Sequence, residues 1–210
     1  GDLSLQSEPD KGSTFGVRYT APFFVRPGSY QTFSVGADYK DLKETVVFGS
    51  DTLSTPLRYL PFNFGYSGSW SGERAQTQAS LTLTTAVAAL LHREVDCPGN
   101  VGPVDQFACK RQGADGGFAT LRGDLRETDA WSWGTTALRL SGQWASQPLA
   151  SAEQFSMGGA ATVRGYLESV ASGDMGALAS LEVRSPNGAA LANQWLGKAP
   201  QGWLNELGVS

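Results

Sequence analysis

The chain has 210 residues, a formal net charge of −4 and only 17% charged residues. That length holds one ordinary domain, and with no basic run the charge balance excludes a nucleic-acid binder as the leading reading. Glycine is frequent, at 26 residues, but lacks collagen's period, and 40% hydrophobic residues is too many for a disordered chain. Period-2 alternation then predicts strands in chain order. Residues 1–6 put Leu3 and Leu5 on one face, as the tail of a strand. Seven fuller strands follow. The first sets Phe15, Val17, Tyr19, Ala21 and Phe23 against Gly16, Arg18 and Thr20, and the second sets Phe33, Val35, Ala37 and Tyr39 against Ser34, Gly36 and Asp38. The third runs from Leu60 to Trp70 and the fourth around Ala79, Leu81 and Leu83. Leu121 and Leu125 mark the fifth, Leu138, Leu140 and Trp144 the sixth, and Ala177, Ala179, Leu181 and Val183 the seventh.

Several of these runs reach the nine to eleven residues that a tilted strand needs to cross a bilayer. No segment approaches the roughly 20 apolar residues of a membrane helix. The connections alternate in length. Arg26-Pro27-Gly28-Ser29 and Ser71-Gly72-Glu73 are tight, and Ala130 to Gly134 is short. Between them lie long segments at roughly 42–56, 92–116 and 148–174. One rim of turns and one rim of loops is the build of an outer-membrane barrel. Phe23, Phe24, Tyr30, Trp70, Trp131 and Trp133 sit beside the short turns, and Tyr39, Tyr59 and Trp144 toward the long loops, as two interfacial belts. The other face carries Arg18, Arg122, Asp124, Arg126, Arg139, Glu182 and Arg184, which are costly in lipid and fit a wet lumen. The fold class is therefore all-β: an antiparallel transmembrane β-barrel, incomplete, with about seven strands of a larger barrel and one face against membrane lipid.

Cys97 and Cys109 stand in a polar stretch. They form a candidate disulfide of an oxidising compartment, set against two unpaired thiols. The single histidine, His92, lacks neighbouring ligands, so no metal site is expected. No catalytic motif is present: there is no G-x-S-x-G elbow, and Asp124 and Glu127 read as strand charges. No cofactor is expected, and the chain is not expected to be an enzyme. The N-terminus, Gly1-Asp2-Leu3-Ser4, shows no signal peptide.

The longest loop carries a motif: Glu153-Gln154-Phe155-Ser156-Met157-Gly158-Gly159, then Val163-Arg164-Gly165-Tyr166, before a strand ending Glu182-Val183-Arg184. This resembles the two-partner-secretion transporters of the Omp85 superfamily, the outer-membrane exporters of haemolysins and filamentous adhesins. The resemblance covers about residues 14–186 and is strongest from 117 on. It implies a bacterial outer-membrane location, a secreted polypeptide as partner, and a loop folded back into the barrel. It assigns the loop motif to Gly158, Gly159, Val163, Arg164, Gly165 and Tyr166, with Glu182 as the lumen partner of Arg164. Gly158 and Gly159 suit a sharp reversal, and an arginine in a wet lumen can pair with carboxylates.

The chain also departs from that family. Its periplasmic domains, first strands and G-F-x-D-x-G strand are not found here, and residues 187–210 read as a tail outside the pattern. The expected organisation is a partial barrel over 1–186 and a tail over 187–210, a piece of a barrel of about sixteen strands. The alternatives are an autonomous eight-stranded barrel with a structural or surface-binding role, the barrel-assembly branch of the same superfamily, and a soluble β-sandwich.

Overall fold

The computed structural model describes residues 1–8, 12–48, 51–91, 93–97, 102–157 and 171–185. The expectations for His92, Gly158, Gly159, Val163, Arg164, Gly165, Tyr166 and the tail at 187–210 lie outside the described residues. The strands are β1 (Asp2–Glu8), β2 (Gly12–Arg26), β3 (Ser29–Phe48), β4 (Asp51–Tyr59), β5 (Pro61–Ser71), β6 (Ala75–Ala86), β7 (Glu94–Asp96), β8 (Pro103–Asp105), β9 (Ala119–Trp131), β10 (Gly134–Ala145), β11 (Phe155–Met157), β12 (Ala171–Gly173) and β13 (Gly176–Arg184). One short helix, α1 (Gln106–Lys110), lies between β8 and β9.

The main sheet runs β1-β2-β3-β5-β6-β9-β10-β13, with β4 paired to β3 beside that path. Among the described residues every strand pairing in this sheet is antiparallel. Among the described residues β1 and β13 do not pair, so the sheet is open, as a partial barrel is. β2, β6, β9 and β10 have 15, 12, 13 and 12 residues, enough to cross a bilayer.

Alternation turns into registered rows across the sheet. Tyr19 pairs with Val35, Val35 with Phe64, Phe64 with Leu83, Leu83 with Leu121 and Leu121 with Trp144. All six side chains are exposed on the outer face. The next row is polar: Thr20, Ser34, Gly65, Thr82, Arg122 and Gln143 stand opposite one another on the inner face. A slip of one residue in any pair would carry an apolar row to the inner face and a polar row to the outer face, so both faces fix the register. Tight turns seal one rim. Pro27-Gly28 closes β2 to β3, with Gly28 at φ 76° in the second corner position, where a Cβ would be strained.

The other rim departs from expectation. The polar stretch 42–56 is not a loop: β3 continues to Phe48 and returns through β4, with Lys40 opposite Tyr59 and Phe48 opposite Asp51. Backbone pairing of this kind requires no apolar alternation in the side chains, so the sequence carries no period-2 signal for it. The stretch 92–116 is also structured, containing β7, β8 and α1. Tyr59 is not part of an interfacial belt. It is 2% exposed, inside a core formed with Leu57, Ala86, Phe107, Ala114, Phe118, Ala145, Leu149 and Ala150. This core sits at the long-loop rim rather than between strands, because the strands give their apolar side chains to the outer face. Only segments folded over the rim, in water, must bury apolar surface against each other. Trp131 and Trp133 are exposed beside the short turns and Trp144 toward the long loops, whereas Tyr30, also beside a short turn, is no part of the outer belt: it stands on the inner face in one row with Ser69, Gln78 and Arg126.

Candidate functional site at the base of the long loop

The motif loop leaves β10 at Ala145 and re-enters the sheet at Gly176. Its base is built stepwise. Ala145, Leu149 and Ala150 enter the rim core. A 3-10 turn over Ser151–Glu153 then points the chain toward β11, and β11 pairs with β12 as a stem, Phe155 opposite Gly173. Residues 158–170, between β11 and β12, lie outside the described residues.

Glu153, first residue of the motif, is clamped from across the sheet. Its Oε1 accepts from Lys40 Nζ of β3 at 2.5 Å and from Tyr59 Oη at 2.5 Å. Burial, and then the Glu153 carboxylate, push the Tyr59 phenol far above its ordinary pKa, so it stays a neutral donor. Gln143, on the inner face of β10, ties the two ends of the loop together. Its Nε2 donates to the carbonyls of Glu153 at 2.9 Å and Asp174 at 3.1 Å, while its Oε1 accepts from Arg122 Nη2 at 2.6 Å. Asp174, just before β13, accepts from the Leu149 amide at 3.1 Å, from Gln154 Nε2 at 3.2 Å and from Arg111 Nη1 at 2.6 Å. Partial burial opposes ionisation of Asp174. The Leu149 amide, Gln154 and Arg111 outweigh it and hold the carboxyl below its ordinary range. The stabilisation from this depressed pKa is present above the unfolded-state value of about 3.9 and is lost as pH falls through the lower folded value.

Packing sets the same junction. Phe155 is 8% exposed, and a Cβ on Gly176 would lie 2.6 Å from its ring. Gly176→Ala is expected to destabilise the protein by about 1–3 kcal/mol, as overpacking does, with Phe155→Leu recovering part of the loss. Urea midpoints in detergent read this out, and an unchanged midpoint for Gly176→Ala would show that the ring does not need the glycine.

A second polar chain crosses the inner face nearer β2. Asn63 Nδ2 donates to Asp38 at 2.7 Å, and Thr84 Oγ1 donates to Asn63 Oδ1 at 2.8 Å, with Arg18 3.7 Å from Asp38. Glu182, the expected partner of Arg164, stands on the inward parity of β13 opposite Ala137, with Arg184 Nη2 at 2.9 Å. Cys97 and Cys109 form a disulfide, Cα atoms 5.7 Å apart, within the segment over the rim. Sequence reasoning missed Lys40, Tyr59, Gln143 and Asp174. For Lys40 the signal was available: it continues the inward parity of Ser34, Gly36 and Asp38 one step past the point where alternation was followed.

The haemolysin secretion/activation protein family, ShlB/FhaC/HecB, has a model that matches residues 62–199 of this chain. The chain belongs to this family. The match takes in β5 to β13, the motif loop and part of the segment beyond 186 that was read as a tail. A ShlB/FhaC/HecB-family protein is a protein of the bacterial outer membrane, and the two-faced strands here are built for that place. No curated protein sequence matches the chain. Among solved structures it is similar to the β domain of the Bordetella autotransporter BrkA, at 13% identity and a TM-score of 0.43. That alignment covers 69% of this chain, which spans 60% of the BrkA domain.

Proposed function

We propose that this chain forms part of the wall of a channel that exports a partner polypeptide of haemolysin or adhesin type from the periplasm to the cell surface. In this reading Arg164 enters the lumen and pairs with Glu182. The observation that carries it is the fastening of the motif loop's base to the inner face through Glu153 and Gln143. Chain length supports it as well. Arg164 is the midpoint of the 13 residues 158–170, and about seven residues from the stem span up to ~23 Å. Glu182 is six positions along β13 from Gly176, about 20 Å at ~3.3 Å per residue. The polar inner rows of Ser, Thr, Asn and Gln offer hydrogen bonds to an unfolded backbone without an apolar surface to hold it. Transport needs no covalent step, so no catalytic residue, metal or small-molecule cofactor enters, and the outer rows meet membrane lipid.

The test uses the full-length protein in cells exporting a haemolysin- or adhesin-type polypeptide. Arg164→Ala and Glu182→Ala are each expected to cut the exported amount at least about tenfold, the effect of losing roughly 1.4 kcal/mol, with normal assembly in the outer membrane. Undiminished export by Arg164→Ala at equal membrane levels would remove the loop arginine from the mechanism.

A further inference from the structure

The two ends of the inner face differ. At the long-loop end the segment between β6 and β9 folds over the rim as a cap, stapled by the Cys97–Cys109 bridge. The Phe107 and Phe118 rings of this segment pack on Tyr59, centroids 5.4 and 6.0 Å away. Toward the short-turn end, the periplasmic side of an outer-membrane barrel, the inner face holds a cavity of about 430 Å³. Register builds it. Tyr30, Ser69, Gln78 and Arg126 stand in one row across β3, β5, β6 and β9. Ser80 and Asp124 belong to the next row, and all six line the cavity. The serines are short, so Tyr30 and Arg126 rise as its two walls. They are three strand spacings apart, about 14 Å at ~4.8 Å each.

Folding alone does not account for these walls. Tyr30 is 52% exposed among serines, glutamine and charges. A ring so placed buries little apolar surface, but it offers a flat apolar face and a hydroxyl to a bound chain. Arg126 is exposed, and among the described residues no hydrogen bond or ion pair engages it. Directly opposite it on β10 stands Arg139, which has interactions of its own. Like charges in opposed positions disfavour the pairing of their strands, and an anionic ligand offsets that repulsion. Arg122, four residues before Arg126, adds a third guanidinium, which donates to Gln143 at 2.6 Å. Among the described inner-face residues of β9 and β10, these three arginines face one carboxylate, Asp124.

We propose that this cavity is a docking subsite for an acidic stretch of extended polypeptide. Arg126 takes a carboxylate, whose geometry the guanidinium matches. Tyr30 flanks the chain, and Ser69, Gln78 and Ser80 serve its backbone groups. Asp124 opposes acidic chains and limits the affinity. The span between the walls is too wide for a small anion and fits about four residues of extended chain at ~3.4 Å each. Naming the exported polypeptide as the occupant rests on the channel-wall reading; the shape and charge of the site do not. Exposure keeps the site weak, as transit requires: binding must be favourable enough to enter and loose enough to leave.

The experiment measures fluorescence anisotropy of a labelled peptide of alternating glutamate and serine against the full-length protein in detergent. Arg126→Gln is expected to weaken binding about three- to fivefold, the range of one solvent-screened charge pair. Asp124→Asn is expected to tighten it about two- to threefold. Tyr30→Ala is expected to weaken it about threefold, with Tyr30→Phe within about twofold of the parent. With a lysine–serine peptide the two charge changes act with opposite signs. Heat-modifiable migration on gels shows that each variant is folded. An unmoved affinity in folded Arg126→Gln would overturn the site, as would a change of the same sign in Arg126→Gln and Asp124→Asn. Displacement of the peptide by free acetate at the peptide's own concentration would overturn the extended chain as its ligand. Export by cells lacking the protein is scored in parallel: undiminished export ends the channel reading, while the anisotropy shifts decide the site by themselves.

Discussion

Replacing Glu153 by alanine is expected to lower stability by about 2–3 kcal/mol, the largest loss at any single position of the loop base. The side chain is 12% exposed and Lys40 is 23% exposed, so the pair is shielded from water without being sealed from it. Removing the carboxylate leaves the Lys40 ammonium without its 2.5 Å partner and the Tyr59 hydroxyl, in the rim core, with no acceptor. Each orphaned group costs its desolvation, about 1–3 kcal/mol for a hydroxyl and more for a fully buried charge, and the residual exposure of Lys40 moderates the total. Tyr59→Phe removes one bond and orphans nothing, so its expected cost is about 1 kcal/mol. Lys40→Met with Glu153→Gln should recover much of the single-variant loss, because neither charge is then stranded. Urea unfolding in detergent micelles, with midpoint and slope fitted separately, checks the series. Equal losses for Glu153→Ala and Tyr59→Phe would mean that Lys40 contributes nothing to the clamp.

Leu81→Arg is expected to cost about 2–4 kcal/mol in a lipid bilayer, the penalty for arginine on the lipid face near the midplane. Leu81 lies near the middle of β6, opposite Tyr66 and Gly123, and points outward. Its neighbour Thr82 stands on the inner row with Ser34 and Gly65, so Thr82→Arg meets water and should change stability by under about 1 kcal/mol. The contrast between adjacent residues is the diagnostic, since both substitutions add the same side chain to the same strand. In detergent the difference should shrink, because a micelle deforms around the guanidinium more easily than a bilayer does. Folding yield into lipid vesicles at graded urea concentrations measures both. If Thr82→Arg proved the costlier of the two, the assignment of faces would be reversed.

The strands and their faces were legible in the sequence because a membrane imposes one rule on every crossing segment. Apolar and polar residues must alternate for the full bilayer thickness, and Phe15-Val17-Tyr19 or Leu81-Leu83 obey it whatever their neighbours are. Turn chemistry such as Pro27-Gly28 and the contrast of loop lengths were equally local. So was the Glu153-to-Tyr166 motif, which pointed to the family. Outside the bilayer that rule lapses. The β3–β4 extension carries no alternation that distinguishes it from a polar loop, and Tyr59 looked like one more interfacial aromatic.

The sequence by itself determined that this chain is a two-faced antiparallel barrel wall with a motif-bearing loop, since periodicity and motif are properties of neighbouring residues. Only the tertiary structure decided what holds that loop. Lys40 and Glu153 are 113 residues apart, Tyr59 and Glu153 are 94, and Arg111 and Asp174 are 63. Such pairs meet because the sheet's registers and the folded-over cap bring distant segments to one rim, and no local pattern records which charge will find which partner there.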